Sequence, residues 1–456
     1  MSMPWLSWQR RGQRSCASRP ARRRLRIEQL EDRTVPTLYM VNSLLDGAPT
    51  ADGQLTLREA ITAANNNGPS GDAPAGQATQ DTIQFAPLLN GGTIRLDAVL
   101  QGFIITSDEL SILGPSPGNS AGITIDAQNA TNIFLVGGSA SNVQLQDLTI
   151  TRGITYAGGG LANLGVATTL TNVVVTANTV SHAGLDKLGG GIYNTGTLTL
   201  NQVIVSNNQV KELGSGFATG GGIYNEGILT LNQCQVVGNR VNGDDGLGGG
   251  IWNEGTLTIS ASTIAGNSAK IGGGIMHASG ATTISRSTIS GNVAFRGGGI
   301  YIGSGIVRFW NDTIAHNLGE GLEISSAAVT IVNCTIVGNA DTSNRAEAAG
   351  GIGKINGTLV LANSIVARNY AASTAAATNV EPADINTNND NFIGGDPQLG
   401  PLQNNGGPTF TLAPLPGSPV IDKGSNVVAN ELGTADGLNK PLSIDQRGVK
   451  RKLDAN

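Results

Sequence analysis

From residue 141 to 370 the chain repeats one pattern. Runs of three to five residues alternate apolar side chains with Thr, and Gly and Asn separate one run from the next. With the last apolar residue of each Thr-rich run as an anchor, the series is Leu170, Leu200, Leu231, Ile259, Ile284, Phe309, Ile331 and Leu361. Five residues on stands Val175, Val205, Val236, Ile264, Ile289, Ile314, Ile336 or Val366. Eight residues on stands Asn178, Asn208, Asn239, Asn267, Asn292, Asn317, Asn339 or Asn369, one residue type in every copy. Leu145 and Ile150 fit the same frame with Gly153 in the Asn slot, which makes nine coils. Period-two alternation predicts short strands, and the 3.6-residue spacing of a helix is missing throughout. So small a unit cannot bury its own apolar face, whereas copies stacked in register share a continuous core. The expected fold is all-β: a parallel β-helix, right-handed by the general chirality of parallel crossovers.

The register also places the punctuation. Gly runs followed by an apolar residue begin at 158, 189, 220, 248, 272 and 297; the clearest read Gly189-Gly190-Gly191-Ile192-Tyr193-Asn194 and Gly220-Gly221-Gly222-Ile223-Tyr224-Asn225. Asn and Gly tolerate the left-handed backbone that corners demand, and stacked Asn amides can hydrogen-bond along a column. Cys234 and Cys334 each stand three residues after an anchor and so share an inward slot. Four coils apart, roughly 19 Å at ~4.8 Å per strand, they are beyond the ~7 Å reach of a disulfide. Both are expected to be core thiols.

The ends break the repeat. Thr56-Leu57-Arg58-Glu59 reads as a capping box, with Leu57, Ala60, Ile61 and Ala64 forming one apolar stripe. A short amphipathic helix there would cover the exposed ladder edge of the first coil. The organisation is then a basic segment over 1–36, a cap with the first coils over 37–140, regular coils over 141–370, and an Ala/Thr linker with a Pro- and Gly-rich tail over 371–456.

Composition narrows the class. Glycine contributes 65 of 456 residues, while charged residues make up 13% and aromatics 4%. No apolar run reaches the ~18 residues of a membrane helix, and no Gly-X-Y period suggests collagen. Residues 1–36 carry nine Arg against Glu28, Glu31 and Asp32, a charge of +6; the whole-chain value of -5 then leaves -11 on residues 37–456. A body of that sign is a poor partner for nucleic acid. The basic segment lacks the apolar stretch of an ordinary secretory signal. Cys16 lies within it, no C-x-x-C spacing exists, and His182, His277 and His316 are scattered, so no metal site is expected.

These motifs carry resemblances. Arg24 to Pro36, with Leu30-Glu31-Asp32-Arg33 at its centre, resembles the leader of large exported bacterial proteins. Leu55-Thr56-Leu57-Arg58-Glu59-Ala60-Ile61 resembles the C-S-L-R-E-A-I segment that opens many bacterial surface β-helix proteins, with Leu in place of its Cys. The Gly-run coils are similar to repeats of polymorphic outer-membrane proteins and of the pectin-lyase-like superfamily. The tail from Asn404 to Gly424, continued by Asp445-Gln446-Arg447-Gly448, resembles the choice-of-anchor region of such proteins, without their closing D-I-G-A-F-E strand. A complete C-terminal cap is accordingly not expected. The resemblance implies a right-handed β-helix at the cell surface or outside the cell. It leaves activity open, because the superfamily holds lyases, hydrolases and inert surface proteins.

Candidate chemistry follows from the register. If Ile192 points inward, the next slot points outward, and it holds Tyr193, Tyr224, Trp252, Met276 and Tyr301, a column suited to the faces of sugars. Beside it, Glu226 and Glu254 share a slot in adjacent coils, ~5 Å apart in backbone terms, near the spacing of a retaining glycosidase pair. Any repeat that reuses a Glu makes the same spacing. Asp244-Asp245 resembles the Asp pair of polygalacturonases, but the companion N-T-D, G-H-G and R-I-K motifs are missing. A Ca²⁺-dependent lyase would need carboxylates converging across coils with a basic residue; Glu226, Asp244, Asp245 and Glu254 form the one local cluster, with Arg240 or Lys211 as the base. No other cofactor is expected. Longer gaps place loops at 179–188, 209–219, 240–247 and 340–348 on one face, the usual binding side of a solenoid. These loops carry His182, Asp186, Lys187, Lys211, Glu212, Phe217, Arg240, Asp244 and Asp245. The leading expectation is an exported adhesive or envelope-structural protein holding a polysaccharide or envelope component. The alternative is an extracellular polysaccharide lyase or glycoside hydrolase.

Overall fold

The computed structural model describes residues 36–78, 80–115, 122–343, 349–372, 379–380, 384–425 and 444–450. The basic segment, Pro36 apart, and part of the 340–348 loop lie outside them. Each regular coil contributes three strands, as in Ile192–Asn194, Thr197–Asn201 and Ile204–Ser206. Their stacking gives three parallel sheets of 10, 13 and 12 strands, a β-solenoid of about 10 turns. The anchors pair in the expected order, from Leu170↔Leu200 to Ile331↔Leu361. One apolar cluster runs unbroken from Tyr39 to Val380 through the middle of the stack.

The Asn slot is a buried hydrogen-bonded column. Asn208 Nδ2 donates to Asn239 Oδ1 at 3.0 Å and to the Val175 carbonyl at 2.9 Å; its backbone N–H donates to the same Asn239 oxygen. The pattern repeats down to Asn369, and Gly153 closes the upper end by donating its N–H to Asn178 Oδ1. The left-handed backbone expected of these Asn belongs instead to their neighbours. Positive φ falls two residues after each anchor, as at Asn172, Gln202 and Ala261, and at the residue before each ladder Asn, as at Ala177, Asn207 and Gly238. The ladder Asn is thus free to turn its amide into the column. Across the coil, a Cβ on Gly222 would lie 3.0 Å from Asn239 Nδ2 and 2.7 Å from the Gly250 carbonyl. Gly runs and the Asn column are one device: the glycine backbone passes where a side chain would strike the amides.

At the N-terminal end the helix Leu57–Asn66 forms with its capping box intact and buries Leu57, Ala60, Ile61, Ala63 and Ala64 over the first coils. At the other end the ladder continues past 370. Asn379 takes the next Asn position, and Thr387–Asn389 and Phe392–Ile393 add rungs to two of the sheets. The tail then folds back along the side of the solenoid. Its antiparallel pair Leu399–Gln403 and Thr411–Pro414 lies near coils that precede it by more than 100 residues. Gln446 fixes it there, donating to the Ser287 carbonyl and to Thr288 Oγ1 and accepting from Thr313 Oγ1. Cys234 and Cys334 are buried and free, and burial pushes the Cys234 thiol up to about 11; Cys16 lies outside the described residues.

Candidate functional site

The projecting segments form structure of their own. Ile154–Thr155, Thr179–Ala183, Gln209–Leu213 and Arg240–Asn242 pair as a fourth parallel sheet at the corner where the insertions fall. Lys187, expected on one of the projecting loops, is fully buried there. Its ammonium donates to the Leu185 and Ser215 carbonyls at 2.9 and 2.8 Å and to Gly216 at 3.4 Å, pinning one insertion to the next. Asp186 adds a hydrogen bond from the Phe217 N–H. This fastened segment holds Phe217 in solvent at 67% exposure.

Beside it lies a groove of about 720 Å³ crossing four successive coils. Phe217, Leu247, Ile271 and Phe295 supply its apolar surface, and Glu212, Asp244, Asp245, Lys270 and Arg296 its charges. Lys270 Nζ sits 5.1 Å from the centre of the Phe295 ring. Arg296 is ion-paired with the buried Glu323 and lies over the Tyr301 ring, which joins the groove to the aromatic column. Burial raises the Glu323 carboxyl, with Arg296 pulling it back. The sequence had marked the long loops but not Lys270, Phe295 and Arg296, which belong to coils with short gaps. Their signal is the register: Leu247 bridges to Ile271, and Ile271 to Arg296.

The aromatic column exists, and its rings cover one another. Tyr193 and Tyr224 stack at 5.5 Å, and Tyr224 and Trp252 at 6.4 Å with planes 3° apart. Met276 and Tyr301 follow in register. Tyr224 retains 6% exposure and Trp252 9%, so their broad faces are spent on each other and little is left for a sugar. Tyr224 donates its hydroxyl to Glu226 Oε1 at 2.7 Å, and burial together with that carboxylate raises its phenol far above the ordinary value.

Glu226 and Glu254 occupy matched turns one coil apart, with N–H groups donating to the Asn194 and Asn225 carbonyls, and both are exposed. They flank one end of the Gly-run strand, whereas Asp244 and Asp245 stand at the other end, in the groove. The four carboxylates are therefore divided between two corners. Of the two basic residues considered, Arg240 reaches Gln209, and Lys211 stays exposed on its strand. Among the described residues no group of three or more His, Cys, Asp or Glu is arranged to hold a metal ion, and no helix is long and apolar enough to cross a membrane.

Two further polar columns were not foreseen. Asn163, Asn194, Asn225 and Asn253 pass amide hydrogen bonds coil to coil and end at His277 Nδ1. In the cysteine slot, Cys234, Ser262, Ser287, Asp312, Cys334 and Ser364 alternate with backbone N–H donors, and full burial drives the Asp312 carboxyl well up. Both columns lie inside the stack and hold coils together.

Comparison of the chain with protein-family models, with curated proteins and with solved structures gave no match.

Proposed function

We propose that this chain is an exported, cell-surface β-helix protein that holds a polysaccharide or envelope component at its insertion corner. Its role is adhesive or structural. The observation that carries the reading is the fastened groove: a buried lysine fixes the segment that keeps Phe217 in solvent beside a concave, part-apolar surface crossing four coils. Rigid solenoid walls with exposed aromatics at a concave corner suit the flat faces of sugar rings without further ordering. The stacked Tyr193, Tyr224 and Trp252, continued in register by Met276 and Tyr301, then back the groove through Arg296, which lies over the Tyr301 ring.

Holding is favoured over cutting because the candidate carboxylates Glu226, Glu254, Asp244 and Asp245 are split between two corners. A glycosidase pair must face one bond from two sides. Residues 37–456 incubated with neutral, amino-sugar and acidic polysaccharides, with Ca²⁺ and with a chelator, provide the test. The reading expects retention of the protein on at least one polymer and no new reducing ends or unsaturated products. Product that vanishes in Asp245→Asn or Glu226→Gln would replace it with the lyase or hydrolase reading and locate the reacting carboxylate.

A further inference from the structure

The charges of the groove say which sugars it accepts. Arg296 is engaged by Glu323, and burial of that carboxylate keeps the pair closed. Of the remaining charged groups along the groove, Glu212, Asp244 and Asp245 are negative and Lys270 alone is positive. Lys270 rests against the Phe295 ring. The surplus is two negative charges on a body that already carries -11 over residues 37–456. A uronate polymer entering here would bring like charge into a concave site, where low-dielectric walls strengthen repulsion.

Geometry adds a second constraint. The groove follows the stacking direction from Glu212 in one coil, through Asp244 and Lys270, to Phe295 three coils on. Three steps at ~4.8 Å give a run of roughly 14 Å. This is an extended path with carboxylates on its rim and Phe217 standing open in it. It fits a short stretch of linear chain better than a single ring.

We infer that the groove binds a glycan chain rich in free amino sugars, with ammonium groups meeting Glu212, Asp244 and Asp245 while a ring stacks on Phe217. The inference rests on the glycan-holding reading above and adds the ligand's charge class. Ammonium is the group that the carboxylate rim rewards and that an N-acetyl group removes. The polymer's own amines spread along its length then meet carboxylates contributed by adjacent coils.

Calorimetric titration of residues 37–456 tests it with three oligosaccharides of equal length: fully deacetylated glucosamine, its N-acetylated counterpart, and galacturonate. Polylysine serves as a control for charge alone. The deacetylated chain is expected to bind at least about tenfold tighter than the N-acetylated one, with galacturonate weakest. That margin should shrink in high salt. The double variant Asp244→Asn/Asp245→Asn should lose most of the preference, and Phe217→Ala should weaken both glucosamine chains roughly three- to tenfold. Equal binding of the acetylated chain, preference for galacturonate, or polylysine binding as tightly as the amino sugar would overturn the inference and leave glycan holding intact in the first two cases. Failure of all three glycans to bind would also overturn the inference, while the glycan-holding reading stands or falls separately on the polymer-retention panel above.

Discussion

Asn267→Ala, in the middle of the buried Asn column, removes four hydrogen bonds at once. Asn267 Nδ2 donates to Asn292 Oδ1 at 3.0 Å and to the Val236 carbonyl at 2.9 Å. Its Oδ1 accepts from the Asn239 backbone N–H at 2.9 Å and from Asn239 Nδ2 at 3.0 Å. Asn239 Nδ2 keeps Val205 as an acceptor, and Asn292 Oδ1 still receives the backbone N–H of residue 267. The Asn239 N–H and one Val236 carbonyl contact have no such second partner in the column. A buried group left unsatisfied costs about 1–3 kcal/mol, so the two together cost about 2–6 kcal/mol. At an unfolding entropy near 2.1 cal/mol/K per residue, a cooperative stack of about 360 residues should lose roughly 3–8 °C in Tm. Circular dichroism at the β-sheet minimum during a thermal ramp reads the shift. Asn242→Ala on the exposed insertion strand is the control and should stay within about 0.5 kcal/mol of the parent. A shift for Asn267→Ala no larger than the control's would refute the column as a source of stability and leave it a by-product of register.

That column also shows why the fold was legible and the site was not. A slot filled by one residue type in every coil announces itself, because each amide must match the one above and below. The left-handed turn two residues after each anchor is equally regular in the backbone, yet Asn172, Gln202, Ala261 and Arg286 all occupy it. There the surrounding strands impose the conformation, and side-chain identity carries no record of it. Tyr224 and Trp252 were visible as a column, but alternation says which way a side chain points, not whether its neighbours leave the ring uncovered. Lys187 reads as solvent-facing by composition, and only the carbonyls of Leu185, Ser215 and Gly216, brought together by stacked insertions, explain its burial. The groove has the same origin. Corner residues answer to no period, so Lys270 and Phe295 became partners of Phe217 only when four coils were placed on one axis. The docking of the tail through Gln446 joins residues more than 130 apart and left no local trace.

Three other outcomes follow from the same packing. In residues 37–456, a span without Cys16, both Cys234 and Cys334 should resist a thiol reagent at pH 8 in the folded protein and react fully once it is unfolded in denaturant; rapid modification of either thiol in the folded protein would contradict their placement inside the stack. Gln446→Ala should free the tail while sparing the coils: hydrogen exchange over 399–414 should quicken and the Asn-column strands should stay protected, whereas unchanged exchange in the hairpin would show that Gln446 is not its latch. His277 supplies the pH dependence. Burial lowers its imidazole to about 4 while its Nδ1 accepts from Asn253 and Thr282, so between that value and the unfolded ~6.5 the unfolded chain takes up a proton that the folded chain refuses. Its contribution to stability is thus intact above pH ~6.5 and is lost as pH falls toward 4, by at most about 3 kcal/mol. Asp312, whose raised carboxyl pKa has the opposite effect, is present in both proteins of the comparison that isolates His277. His277→Asn extends the amide column with a group that does not titrate, so its denaturation midpoint should fall less than the parent's between pH 7 and pH 4.5; parallel decline of the two proteins would exclude His277 as the source.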